Sequence, residues 1–202
     1  MALNSIFASR SEALAISNGE KTQLRRVIIP KVDPKGSYTF DPIGGVLHWS
    51  TVGDLDRIGS PDASKNWHTA VCPYRLNRKL LIRTAWAVDK SFDKISDSGL
   101  RIAEIGSKIW HAGQSSLPPD WAGRIRNGKT IPNDFIPYMP HTTVVAIAVE
   151  RLQSITEEDA FAEGCSGPGQ RICQFAAMWD LKTKIEWMQW DEDPWVWKLS
   201  LA

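Results

Sequence analysis

The chain has 202 residues, 43% of them hydrophobic and 23% charged, with a formal net charge of +1. That composition excludes wholesale disorder and supplies one sizeable core, or one domain with a long insertion. A charge so near zero gives no global field for nucleic acid or membrane, so an anionic partner would need a local patch. The richest is Lys21, Arg25, Arg26, Lys31 and Lys35, for which a solvated basic face is the plain alternative.

In chain order, Ile6 to Ile16 carries apolar residues at near-helical spacing and ends at Asn18-Gly19, which predicts a helix. KTQLRRVIIP gathers β-branched residues before Pro30 and predicts a strand. From Lys31 to Ser64, Gly, Pro, Asp and Ser predict a long connection with one strand-like island at Val46 to Val52. Leu80 to Val88 predicts the next strand, and residues 89–134 are irregular, with Pro118-Pro119 and the Asn127-Gly128 turn signal. Thr142 to Arg151 is the strongest strand signal in the chain. ITEEDAFAEG then predicts a helix capped by Thr156 and stopped by Gly164. Gln170 to Leu181 predicts another, with Phe175, Met178 and Trp179 on one face, and the alternation of Trp195 to Leu201 predicts a final strand. Strands that do not alternate regularly with helices point to an α+β fold or a small barrel.

Five of the ten tryptophans, Trp179, Trp187, Trp190, Trp195 and Trp197, fall near the C-terminus. Such rings can stack bases, but the alternation of WVWKLSL favours a core role, and Asp191, Glu192 and Asp193 beside them would repel phosphate. Cys72, Cys165 and Cys173 lack close pairing and predict buried thiols in a reducing compartment. The opening residues lack a basic region followed by an apolar block, and no apolar run approaches the ~20 residues that span a bilayer. A soluble, cytoplasmic protein without membrane contact is expected.

Several segments together resemble a known family. NGEKTQLRRVI is similar to the ASCH signature of glycine, any residue, lysine and a short basic strand. CPYRLNRKLLIRTAW, ERLQSITEEDAFAEG and DEDPWVWKLSLA resemble successive segments of the ASCH proteins carried by bacteriophages. The four blocks stand in the right order and run from end to end. The resemblance implies an α+β, PUA-like small β-barrel of about five or six strands with flanking helices. It would form a single domain over residues 1–202, with irregular insertions at 31–66 and 89–134.

The same resemblance implies a site. Some ASCH proteins remove the acetyl group from acetylcytidine, and others bind or cleave RNA. In the amidohydrolase branch a lysine, a threonine three residues later and a glutamate after the main strand do the work. Matched residue by residue, these fall on Lys21, Leu24 and Glu163. Leucine offers no atom for a base to deprotonate, and Thr22 would stand ~6.6 Å from position 24 on a strand. The family's arginines and tryptophan before the main strand are replaced around His141, and its strand ending Arg-Glu-Thr-Trp here reads Arg83-Thr84-Ala85-Trp86. Lys21 and Glu163 are therefore the catalytic candidates, with a structural ion pair as the alternative. Lys21, Thr22, Arg25, Arg83, His141 and Glu163 are the candidate ligand-binding residues.

Weaker constellations remain. His48-Trp49-Ser50 and His141-Thr142-Thr143 form the pair of His-x-Ser/Thr motifs found in two-histidine phosphoesterases, against a reading of ordinary surface histidines. His68 with Cys72, and Cys165 with Cys173, have no usual zinc spacing, so neither metal nor cofactor is expected. The loop Cys165-Ser166-Gly167-Pro168-Gly169 is either a lid or a connector. Three functions follow: binding of a nucleotide, modified nucleoside or RNA in a basic pocket; amide or RNA hydrolysis with Lys21 and Glu163; and, as a phage interaction factor, inhibition of a host defence protein through the two insertions.

Overall fold

A computed structural model describes residues 4–32, 38–50, 67–106, 108–167 and 169–202. Lys35, Val52, Pro168 and much of the first insertion lie outside the described residues. The principal elements are β1 (Ser5–Phe7), α1 (Arg10–Ser17), β2 (Gln23–Val27), β3 (Tyr38–Asp41), β4 (Val46–Ser50), β5 (Trp67–Val71) and β6 (Lys79–Arg83). They continue with β7 (Trp86–Ala87), α2 (Ile102–Ile105), β8 (Trp110–His111), β9 (His141–Arg151), α3 (Glu157–Ala162), α4 (Arg171–Lys182) and β10 (Trp195–Leu201). The fold is mixed α+β. Five strands form a mixed sheet in the order β1-β6-β9-β10-β2, and the others form a three-stranded sheet β3-β4-β5 and the pair β7-β8. No helix among the described residues is long and apolar enough to cross a membrane.

The chain divides into two compact units, residues 1–22, 79–143 and 202 in the first, and residues 23–78 and 144–201 in the second. In the first unit β1 runs parallel to β6, with Ile6 opposite Ile82. The expected helix over Ile6 to Ile16 is thus divided: Ser5–Phe7 pairs as a strand, and Ser9 caps a shorter helix by accepting from the Glu12 N–H at 3.2 Å. That helix ends in a Schellman arrangement, in which Gly19 N donates to Ile16 O and Glu20 N to Ala15 O, with Gly19 at φ +73°. The irregular second insertion is held by a core of Trp86, Leu100, Ile131 and Phe135, all nearly inaccessible. Trp86 Nε1 donates to Asn127 O, and the Arg126 guanidinium lies over the Trp86 ring.

In the second unit β9 and β2 flank β10 in antiparallel pairing, with Trp197 opposite Val149 and Arg26. β9, α3, α4 and β10 arise within a residue or two of their expected bounds. Trp195 and Trp197 are buried and contact Tyr38 and Phe40, while Trp190 packs on Phe175. Trp195 and Trp197 are therefore core, as their alternation suggested, while Trp179, Trp187 and Trp190 are partly buried. Cys72 and Cys165 are buried, but Cys173 is exposed on α4, contrary to the expectation of three buried thiols. Removal from water pushes the Cys72 thiol up to about 11.

Candidate functional site

The second unit carries a buried charge cluster built on β2. Strand alternation turns Gln23 and Arg25 to one face, and Arg25 is only 1% exposed. Its Nε donates to Glu150 Oε1 at 2.8 Å, and its terminal nitrogens reach Glu163 Oε1 at 3.2 Å and Asp159 Oδ2 at 3.1 Å. Lys198, opposite Arg25 on β10, donates to both Asp159 oxygens at 2.8 and 2.7 Å. Burial alone would raise the Asp159 carboxyl. Hydrogen bonds from Lys198 and Gln23 and the Arg25 charge outweigh it and hold the group below its usual range.

The helix ending fixes Glu163. Gly164 N donates to Phe161 O and Cys165 N to Ala160 O, with Gly164 at φ +94°. Glu163 is therefore the cap residue of α3, and Asp159, one turn earlier, lies on the same helix face. Three carboxylates meet two cations here. Such a site can orient carboxylates as hydrogen-bond acceptors, but Arg25 is engaged by its neighbours and is not presented to phosphate.

Lys21 belongs to the first unit. The turn after α1 brings Lys21 N to Ala15 O, and its side chain, 6% exposed, pairs with Glu12 at 3.2 Å. Thr22 is exposed and precedes β2, so the strand geometry expected for it does not apply. Arg83 closes β6, is half-buried, and donates to Ser5 Oγ at 3.3 Å and Gly128 O at 3.4 Å. These long contacts hold the guanidinium lightly.

Arg83 opens onto a cavity of about 540 Å³ in the first unit. Arg10, Arg126 and Lys129 line it as well, and no Asp or Glu does. Phe7, 54% exposed, forms part of the wall, and the Lys129 ammonium lies 5.8 Å from its ring centre. The Thr84 hydroxyl, on the same wall, is buried without a hydrogen-bond partner among the described residues. Gly128 makes this wall possible, because a Cβ there would come within 2.7 Å of the Arg83 carbonyl carbon and the Thr84 nitrogen. The arrangement can hold an anionic group beside a planar apolar one.

His141 begins β9 in the first unit, half-buried; removal from water lowers its pKa and the Lys79 charge adds to this, against a hydrogen bond to Met139. His111 on β8 is buried and has no hydrogen-bond partner for Nδ1 among the described residues. Burial, then the nearby His141, pushes it down to about 4. His48 lies in the second unit, with Nδ1 3.0 Å from Thr69 Oγ1. His68 stacks near Trp49. Among the described residues, no group of three or more His, Cys, Asp or Glu is placed to hold a metal ion.

Of the sequence candidates, the structure brings Arg25 and Glu163 together in one cluster and places Arg83 in a cationic cavity. Sequence reasoning missed Glu150, Asp159 and Lys198 around Arg25, and Arg10 and Lys129 beside Arg83. Helix spacing signalled Asp159 and strand parity signalled Glu150. The basic run Arg124, Arg126 and Lys129 signalled the cavity.

Fold and sites define a mixed α+β protein with a buried carboxylate cluster and a cationic cavity. Comparison of the chain with protein-family models, curated proteins and solved structures gives no match.

Proposed function

We propose that the chain is a phage-type ASCH-like protein, built on a PUA-like barrel, that binds a nucleotide, a modified nucleoside or RNA. The observation that carries this reading is the cavity at Arg83, where Arg10, Arg83 and Lys129 converge with no carboxylate in the wall. Arginine suits bidentate contact with phosphate oxygens, and the exposed face of Phe7 suits a base or ribose. A basic local patch on a chain of near-zero net charge also fits a partner met at one place only.

Calorimetry with nucleoside monophosphates, free nucleosides and short RNA tests the proposal. Wild type should bind at least one of them, Arg83→Ala should weaken binding about tenfold, and added salt should weaken it further. Failure of a folded wild type to bind any of these ligands would overturn the proposal.

A further inference from the structure

Beside the Arg83 cavity lies a second and larger one, of about 750 Å³, in the same unit. Ile125, Arg126 and Lys129 line both, so the two cavities share a wall. The second is bounded by Arg124, Thr130 and Asn133, and it holds one carboxylate, Asp97. That carboxylate is already engaged. Arg126 and the Thr130 hydroxyl contact it closely, and Arg124 lies 3.4 Å away. Burial would raise the Asp97 carboxyl, but these bonds and charges hold it below its usual range. Three cations against one anion leave the wall with a positive surplus.

The exposed groups differ along this track. Lys129 is exposed at the shared wall, and the Arg124 side chain is 51% exposed in the second cavity. Ile125, 41% exposed, stands between the two cavities as an apolar ridge. Each cavity falls in the size range of a site for one small ligand. Both cavities carry arginines beside the lysine they share, and Phe7 in the first and Ile125 in both add exposed apolar surface among the charges. Single-stranded nucleic acid has the complementary groups, phosphates with unstacked base faces. A duplex hides those faces.

We infer that the two cavities are consecutive subsites for one single-stranded oligonucleotide. Lys129 meets the phosphate at the shared wall, Arg10 and Arg83 serve the first subsite, and Arg124 serves the second. The inference rests on nucleotide binding in the Arg83 cavity and extends it from a mononucleotide to a strand. Two linked subsites raise affinity by effective concentration rather than by better contacts at either one.

The test is a length series. Fluorescein-labelled mono-, di-, tetra- and octauridylates are titrated by anisotropy against the full chain, for wild type, Arg83→Ala, Arg124→Ala and Arg124→Gln. Deoxy and duplex octamers are added as further arms, and thermal melts confirm that each variant is folded. Wild type should bind the octamer at least tenfold more tightly than the mononucleotide. Both Arg124 variants should remove most of that gain and lower the salt slope by about 0.7, while leaving the mononucleotide unaffected. Arg83→Ala should weaken every length. The deoxy octamer binding equally would keep the strand and remove selectivity for RNA.

Affinity independent of length, a duplex bound as tightly as the single strand, or folded Arg124 variants that bind the octamer like wild type would overturn the inference. If the mononucleotide stays sensitive to Arg83 in those cases, binding in the first cavity stands. A wild type that binds no member of the series overturns both.

Discussion

Arg25 and Glu163, 138 residues apart in the sequence, meet at 3.2 Å where β2 faces the end of α3. The arginine side chain is inaccessible, and Glu150 and Asp159 complete its shell. A charge removed from water costs several kcal/mol unless its partners replace the lost hydration, and here three carboxylates do so. The relationship ties α3 to the sheet of the second unit. It also sets the direction in which Glu163 points.

Arg25→Ala should therefore destabilise the protein by about 3–5 kcal/mol, because it removes the buried cation that three carboxylates share and leaves Lys198 as the remaining cation of the cluster. Urea unfolding near neutral pH measures this. The loss should shrink in acid. Asp159 is held below its ordinary value of 3.8, so its contribution is present above that value and disappears as the pH falls through the lowered one. A variant as stable as wild type would show that the cluster adds nothing net.

Leu24, on which the proposed ASCH resemblance would place a threonine, is fully buried in β2. It has no oxygen or sulfur to attack an amide carbonyl. Acetylcytidine incubated with wild type should release no acetate above the uncatalysed rate, and labelled RNA should remain intact, both followed by chromatography. Turnover that vanishes in Lys21→Ala and Glu163→Ala would reverse this expectation and require a nucleophile such as water.

Much of the second unit was legible in the sequence because its elements carry strong periodic signals. β9 is a continuous β-branched run, α3 has Thr156 and Gly164 at its ends, and β10 alternates. β1 was not legible: Ser5–Phe7 has too few residues to show a period, and its conformation is imposed by pairing with β6. Arg83 could be singled out because it ends a strand whose sequence resembles a segment ending Arg-Glu-Thr-Trp, with Thr84 where that segment has its glutamate. Its partners could not be placed against it, since Lys129 sits in a single 3-10 turn, Gly128–Thr130, too short to carry a period, and the basic run around it says only that cations gather there. The close packing of Gly128 on residues 83 and 84 joins them, and a turn signal announces the turn without naming what it packs against.

His111 should make stability depend on pH in mild acid. The folded protein holds it at about 4, below its ordinary 6.5, so between those values the unfolded chain binds the extra proton. Its contribution is complete above about pH 6.5 and is lost as the pH falls toward about 4, by about 3 kcal/mol in total. His141, beside His111 and itself held low by burial and the Lys79 charge, adds to the effect. Thermal melts across this range for wild type and His111→Gln check the expectation. An unchanged slope in the variant would assign the acid sensitivity to other groups.

Gly128→Ala should damage the proposed nucleotide site without touching any charged group. The added methyl would stand 2.7 Å from the backbone of residues 83 and 84 and 2.8 Å from the Thr84 oxygen, distances that neither backbone can keep. Overpacking of this kind costs about 1–3 kcal/mol. Because the wall consists of residues 83–85 against 125–129, relief of the clash must part Arg83 from Lys129. Below its melting temperature the folded variant should therefore bind the mononucleotide several-fold more weakly than wild type. Measuring binding and melting on the same preparation separates the effects. A variant that melts lower yet binds like wild type would mean that the spacing of Arg83 and Lys129 does not govern the ligand, and the phosphate contact would have to be sought elsewhere.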